Sequence, residues 1–171
     1  ADGNGGGLYM LPGSTLAVTG TDFISNTAHS GGGVASSVGV VMKDVTFEGN
    51  YAEQYAGLVG LAGGAVLSNT DFLSNTSTGG ASGGAYLLGN VQITGGRYLG
   101  NSCATCSGGA LNVKTGTISG TVFISNTSAT GGGAIYVGGT SGTAVVTVTN
   151  GYFERNVCTN FDCMGGGMYA N

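Results

Sequence analysis

The strongest pattern along the chain is an aromatic residue followed three positions later by asparagine. It occurs at Phe23/Asn26, Phe47/Asn50, Phe72/Asn75, Tyr98/Asn101, Phe123/Asn126 and Phe153/Asn156, with the aromatics 24, 25, 26, 25 and 30 residues apart. Counting back from each aromatic, the fifth residue is Val18, Met42, Leu67, Ile93, Ile118 or Val148. The seventh is Leu16, Val40, Ala65, Val91, Gly116 or Val146, and the neighbours of both positions are mostly polar or small. Alternation of this kind predicts a strand with one face turned inward. No 3.6-residue period competes with it, and the many Gly and β-branched residues disfavour helix.

A fixed period is the signature of stacked repeats. One of about 25 residues with two or three short strands predicts one coil of a parallel β-helix. The expected fold is therefore all-β: a single-stranded, right-handed parallel β-helix, or solenoid, of about six coils. Residues 1–171 are expected to form one such domain, a segment or subunit of a longer rod. A left-handed hexapeptide helix would show a six-residue submotif, a propeller blade needs about 40 residues, and leucine-rich repeats carry a Leu ladder.

Coils stacked at about 4.8 Å bring like positions into columns. Asn26, Asn50, Asn75, Asn101, Asn126 and Asn156 are then expected to form a buried amide ladder, because an amide both donates and accepts along the column. Phe23, Phe47, Phe72, Tyr98, Phe123 and Phe153 are expected to stack in the same way. A glycine run follows each asparagine and marks a tight corner.

Two mainly apolar residues follow each glycine run, and consecutive strand residues face opposite sides. If the first points inward, Tyr9, Val59, Tyr86, Leu111, Ile135 and Tyr169 form an outer stripe suited to an interface. The alternative is a glycine bulge that turns both residues inward. Both ends of the sequence stop in the same glycine–strand phase without a capping helix, so self-association is expected, head to tail and laterally through the stripe. Head-to-tail contacts of this kind do not close and give a filament.

Composition narrows the function. The 171 residues include 37 Gly and 1 Pro, only 7% are charged, and the net charge is −4 with four Lys+Arg, which excludes a nucleic-acid footprint. No run approaches the roughly 20 apolar residues of a transmembrane helix. Cys103 with Cys106, and Cys158 with Cys163, are expected to form local disulfides. A cross-link between the two sets would skip a coil, a span of about 9.6 Å that neither a disulfide nor one zinc site bridges. Disulfides place the chain outside the cell or on its surface.

Gly132-Gly133-Ala134-Ile135 with Phe123-Ile124-Ser125-Asn126 resembles the paired Gly-Gly-Ala and Phe-x-x-Asn motifs of chlamydial-type polymorphic outer-membrane proteins and related autotransporter adhesins. Gly83-Gly84-Ala85-Tyr86 and Gly108-Gly109-Ala110-Leu111 are similar copies. The resemblance implies a right-handed β-helix passenger displayed at a cell surface, with a host or matrix surface as its external partner.

Chemistry-bearing residues are sparse. Many β-helices cleave polysaccharides with clustered carboxylates, often assisted by Ca²⁺ and a basic residue. The candidates here are Asp22 and Asp71, two coils apart, and Asp44 with Glu48 beside Lys43. None forms the constellation of a lyase or hydrolase, so no catalytic, metal or cofactor site is expected. Asp2-Gly3-Asn4-Gly5 reads as a turn rather than a calcium loop. Ice binding would need ranked threonines outward of the strand, and only Thr117/Ser119 and Thr147/Thr149 are regular, with Lys43 interrupting the plane. The expected function is a noncatalytic extracellular structural or adhesive rod.

Overall fold

The computed structural model describes residues 3–13, 15–138 and 143–171. The described residues contain no helix, and their strands pair in parallel within three sheets. The third coil shows the plan: Leu58–Gly60 and Ala65–Ser68 enter one large sheet, Asp71–Leu73 a second, and Thr76–Ser77 a third. In the next two coils the first two segments run together as Ala85–Thr94 and Leu111–Ser119. The second and third sheets each hold six strands, one per coil, which makes the fold a parallel β-solenoid.

Two left-handed residues bend each coil. Three positions before the aromatic stand Gly20, Asp44, Asn69, Gly95, Gly120 and Asn150, all with φ between 47° and 66°. Two positions after it stand Ser25, Gly49, Ser74, Gly100, Ser125 and Arg155, with φ between 51° and 62°. A single left-handed residue between extended segments turns the chain sharply, and Gly, Asn and Asp adopt that conformation at least cost. The aromatic strand is thereby held between two corners.

The predicted columns occur residue by residue. Leu16, Val40, Ala65, Val91, Gly116 and Val146 are in register, as are Val18, Met42, Leu67, Ile93, Ile118 and Val148. Gly116 breaks the apolar series for a steric reason: it has φ +136°, and a Cβ there would collide with the Val91 carbonyl. The aromatic rings stack with centroids 4.6–5.0 Å apart from Phe23 to Phe153. Phe47, Phe72, Tyr98 and Phe123 are wholly buried. The Tyr98 hydroxyl has no hydrogen-bond partner, and burial pushes its phenol well above the ordinary tyrosine value, with Asp71 adding to the shift.

Differences in repeat length are absorbed between strands. Asn126 and Asn156 are 30 residues apart, yet Thr127↔Val157 and Phe123↔Phe153 stay in register. The extra residues fall between Ile135–Val137 and Val145–Thr149, a segment that includes 139–142 outside the described residues.

Candidate functional site

The asparagines form a continuous hydrogen-bonded column. Each Nδ2 from Asn26 to Asn126 donates to the Oδ1 of the asparagine in the next coil, at 2.9–3.0 Å. The same Oδ1 also accepts the backbone N–H of the preceding asparagine. The second Nδ2 proton of Asn50, Asn75, Asn101, Asn126 and Asn156 goes to the carbonyl of the aromatic one coil back. Amides so fully engaged hold the corner; they have no capacity left for a ligand. Asn75 and Asn126 begin Asn-x-Ser sequons yet are completely buried.

Cys103–Cys106 and Cys158–Cys163 are both bonded, with Cα–Cα distances of 5.5 Å and 5.7 Å. Cys103 and Cys158 occupy one inward column with Ala28, Ala52, Ser77 and Ser128. Each disulfide therefore closes the same corner of its own coil, where the chain leaves the third sheet for the glycine run. Phe161, at the tip of the second disulfide loop, is fully exposed.

The stripe after the glycine runs requires a correction. Leu111 and Ile135 lie in the inward column with Leu8, Val34, Leu58, Ala85 and Met168, and both are completely buried. Tyr9, Val59, Tyr86 and Tyr169 stand in the other column, in register with Ala35, Asn112 and Tyr136. The slip arises because Ala110 and Ala134 take the place that glycine fills in other coils. Their carbonyls accept from Ala85 and Leu111 as those of Gly57 and Gly84 accept from Val34 and Leu58. Gly83-Gly84-Ala85-Tyr86 is accordingly one residue out of phase with Gly108-Gly109-Ala110-Leu111. The alternating burial of Leu8–Met10 and Ile135–Val137 excludes a bulge that would turn both residues inward there.

The outer column is partly roofed by the preceding loop. The Tyr55 ring stacks on Tyr86 with centroids 4.6 Å apart and planes 4° from parallel. Val59, though outside the main core cluster, is 1% exposed. A hollow of about 230 Å³ opens here between Tyr9 and Tyr55, with Ala35 and Val59 at its base. Tyr136 and Tyr169 continue the aromatic face at 5.8 Å. Burial and the nearby Tyr55 phenol push the Tyr86 hydroxyl upward. Tyr55 belongs to no repeating strand, which is why sequence periodicity did not single it out.

The acidic candidates are dispersed. Thr46 separates Asp22 from Asp71 in their column. Both Asp71 oxygens are engaged by Arg97, which offers its backbone N–H, Nε and Nη2. Asp44 accepts from Asn69 at 3.2 Å. His29 pairs with Glu53 of the next coil at 2.8 Å, a contact hidden by 24 residues of sequence. Among the described residues no three His, Cys, Asp or Glu side chains converge as metal ligands. Asn4 is bridged in parallel to Ser30, whereas Asp2 lies outside the described residues. On the large sheet Thr117 and Thr147 extend a column of Ala17, Val41, Val66 and Gln92, and Thr149 ends one interrupted by Lys43. No helix among the described residues is long and apolar enough to cross a membrane.

Residues 120–138 match the Chlamydia polymorphic membrane protein repeat. The matched stretch spans Phe123 to Asn126, the buried strand Ile135–Val137 and the glycine run between them. No curated protein and no solved structure matches the chain. Repeat and architecture together make this a β-helix repeat protein similar to the polymorphic membrane proteins.

Proposed function

We propose that this chain is a noncatalytic, surface-displayed β-helix rod with an adhesive or structural role, an inference that starts from its likeness to the polymorphic membrane protein repeat. That repeat is the observation that carries the reading. Two features support it. The disulfides suit an oxidising exterior. The asparagine column is consumed by bonds between coils, and Asp71 is neutralised by Arg97.

The rod is further proposed to associate end to end. Leu16–Thr19 and Tyr152–Glu154 each pair on one side only among the described strands, leaving backbone donors and acceptors that another copy satisfies. Lateral contact would use the tyrosine column, now limited to Tyr9, Tyr86, Tyr136 and Tyr169.

Protease shaving of intact cells, followed by detection of the chain's peptides, tests display; peptides released only after lysis would overturn it. Incubation with pectin and alginate tests the noncatalytic reading. Product formation abolished by Asp22→Asn or Asp71→Asn would replace it with an enzyme. Sedimentation velocity over a wide concentration range tests assembly, and a concentration-independent monomer would refute end-to-end association.

A further inference from the structure

We propose that the hollow between Tyr9 and Tyr55 seats one ring of an uncharged oligosaccharide. The proposal deepens the adhesive reading by giving the rod a ligand class, and rests on it only for where that ligand is met.

The outer column dictates the hollow's shape. Tyr9, Ala35, Val59 and Tyr86 are consecutive rungs, so two small side chains lie between bulky aromatic ones. At about 4.8 Å per coil the gap from Tyr9 to Tyr86 is roughly 14 Å. Tyr55, stacked against Tyr86, forms one wall and Tyr9, 43% exposed, the other. The floor is aliphatic. An aromatic wall and an aliphatic floor suit the C–H faces of a pyranose ring.

The polar groups suit its hydroxyls. Asn4 and Gln54 line the hollow, and each amide both donates and accepts. Neither side chain, nor the Tyr9 or Tyr55 hydroxyl, is hydrogen-bonded to another described residue. Ser30 lines the same hollow, and its hydroxyl is open to solvent with no partner among the described residues. Such groups, wetted in the free chain, exchange water for ligand hydroxyls at little net cost and fix the orientation of a bound ring.

Charge and size set the class. No lining residue is charged, and the chain carries −4 overall, so nothing compensates the carboxylate or sulfate of an acidic glycan. The volume of about 230 Å³ lies below the roughly 300–1,000 Å³ of sites that engulf drug-sized ligands. One ring enters, and the remainder of the chain runs along the rod.

The test titrates cellotriose, maltotriose, triacetylchitotriose and, as the anionic counterpart, trigalacturonate into the whole chain. Binding is read by saturation-transfer NMR and tyrosine fluorescence, which no tryptophan obscures. At least one neutral trisaccharide is expected to saturate with Kd of about 0.1–5 mM, the range of a single small site. Tyr55→Ala and Gln54→Ala should each weaken it about fivefold or more, roughly 1 kcal/mol. Gln54 is only half-buried and its side chain unpartnered, so its variant stays informative if Tyr55→Ala unfolds the coil. Three results would overturn the site: no saturation by any neutral trisaccharide, equal affinity in wild type and both variants, or trigalacturonate binding as tightly. Binding accompanied by cleavage would instead keep the site and remove the noncatalytic reading. Surface shaving without any sugar binding would do the reverse.

Discussion

Replacing one asparagine in the middle of the column measures how much of the fold depends on it. In Asn75→Ala the backbone N–H of residue 75 keeps its bond to Asn101 Oδ1, but four other bonds vanish. The Asn50 N–H and one Asn50 Nδ2 proton are left without partners in a buried site, while the Phe47 carbonyl loses its side-chain donor but stays paired within the sheet. A stranded buried donor costs about 1–3 kcal/mol, so even at the low end the two together cost about 2 kcal/mol. The same substitution at half-buried Asn156 strands an equivalent set, but water reaches it; about 1 kcal/mol is expected there. Asn75→Asp supplies a control. Its carboxylate can accept both Asn50 donors but must face the Phe47 carbonyl and Asn101 Oδ1 with no proton to give. Burial raises the pKa of that acid in the folded state, so the deficit grows as pH climbs above about 3.9 and shrinks below it. Urea denaturation followed by circular dichroism gives the free energies, and hydrogen exchange at the Asn50 amide gives the local effect. An Asn75→Ala variant within about 0.5 kcal/mol of wild type, with Asn50 still protected, would refute the argument that the column bears load.

Five further outcomes are expected. Tyr98→Phe removes the orphaned hydroxyl from the ring stack and should raise stability by about 1 kcal/mol in the same assay. Because burial raises the folded-state pKa of Tyr98, its contribution is intact below about pH 10 and declines above it; spectrophotometric titration should show one tyrosine ionising only as the chain unfolds. Reduction opens loops of four and six residues, each worth about 2 kcal/mol by chain entropy, and should lower the denaturation midpoint measurably with dithiothreitol. At the second corner, Ser74→Gly should be neutral or stabilising by up to about 1 kcal/mol, whereas Gly100→Val forces a β-branched residue to φ 62° and should cost about 2 kcal/mol in thermal melts. Expressed in a glycosylating host, the folded chain should carry no N-glycan at Asn75 or Asn126, which peptide mass spectrometry would establish.

The columns were legible in the sequence because each holds a single residue type at a nearly constant step: the aromatics, the asparagines and the apolar pair five and seven positions before the aromatic. The corners were partly legible, since Gly20, Asp44, Asn69, Gly95, Gly120 and Asn150 are all residues that tolerate left-handed backbone. The stripe failed where small residues substitute for one another. Ala110 and Ala134 fit where other coils use glycine, so counting from the last glycine displaced Leu111 and Ile135 by one position, and a one-residue slip reverses the face. Contacts made by loop residues had no period to reveal them. His29 meets Glu53 and Tyr55 meets Tyr86 only because stacking brings successive coils together.

The amide column also has a direction. From asparagine to asparagine, each bond runs from the Nδ2 of one coil to the Oδ1 of the next coil C-terminal to it, so the column is polarised like a row of arrows. For the next asparagine-to-asparagine bond, the Asn26 end offers Oδ1 and the Asn156 end offers its backbone N–H and Nδ2–H. Whatever extends the column, whether more of the same polypeptide or another copy, must arrive in the same orientation, oxygen to the Asn156 end. Two rods meeting by a two-fold axis at that face would set asparagine donor against asparagine donor. Any fibre built from such units would therefore be polar, with two distinguishable ends.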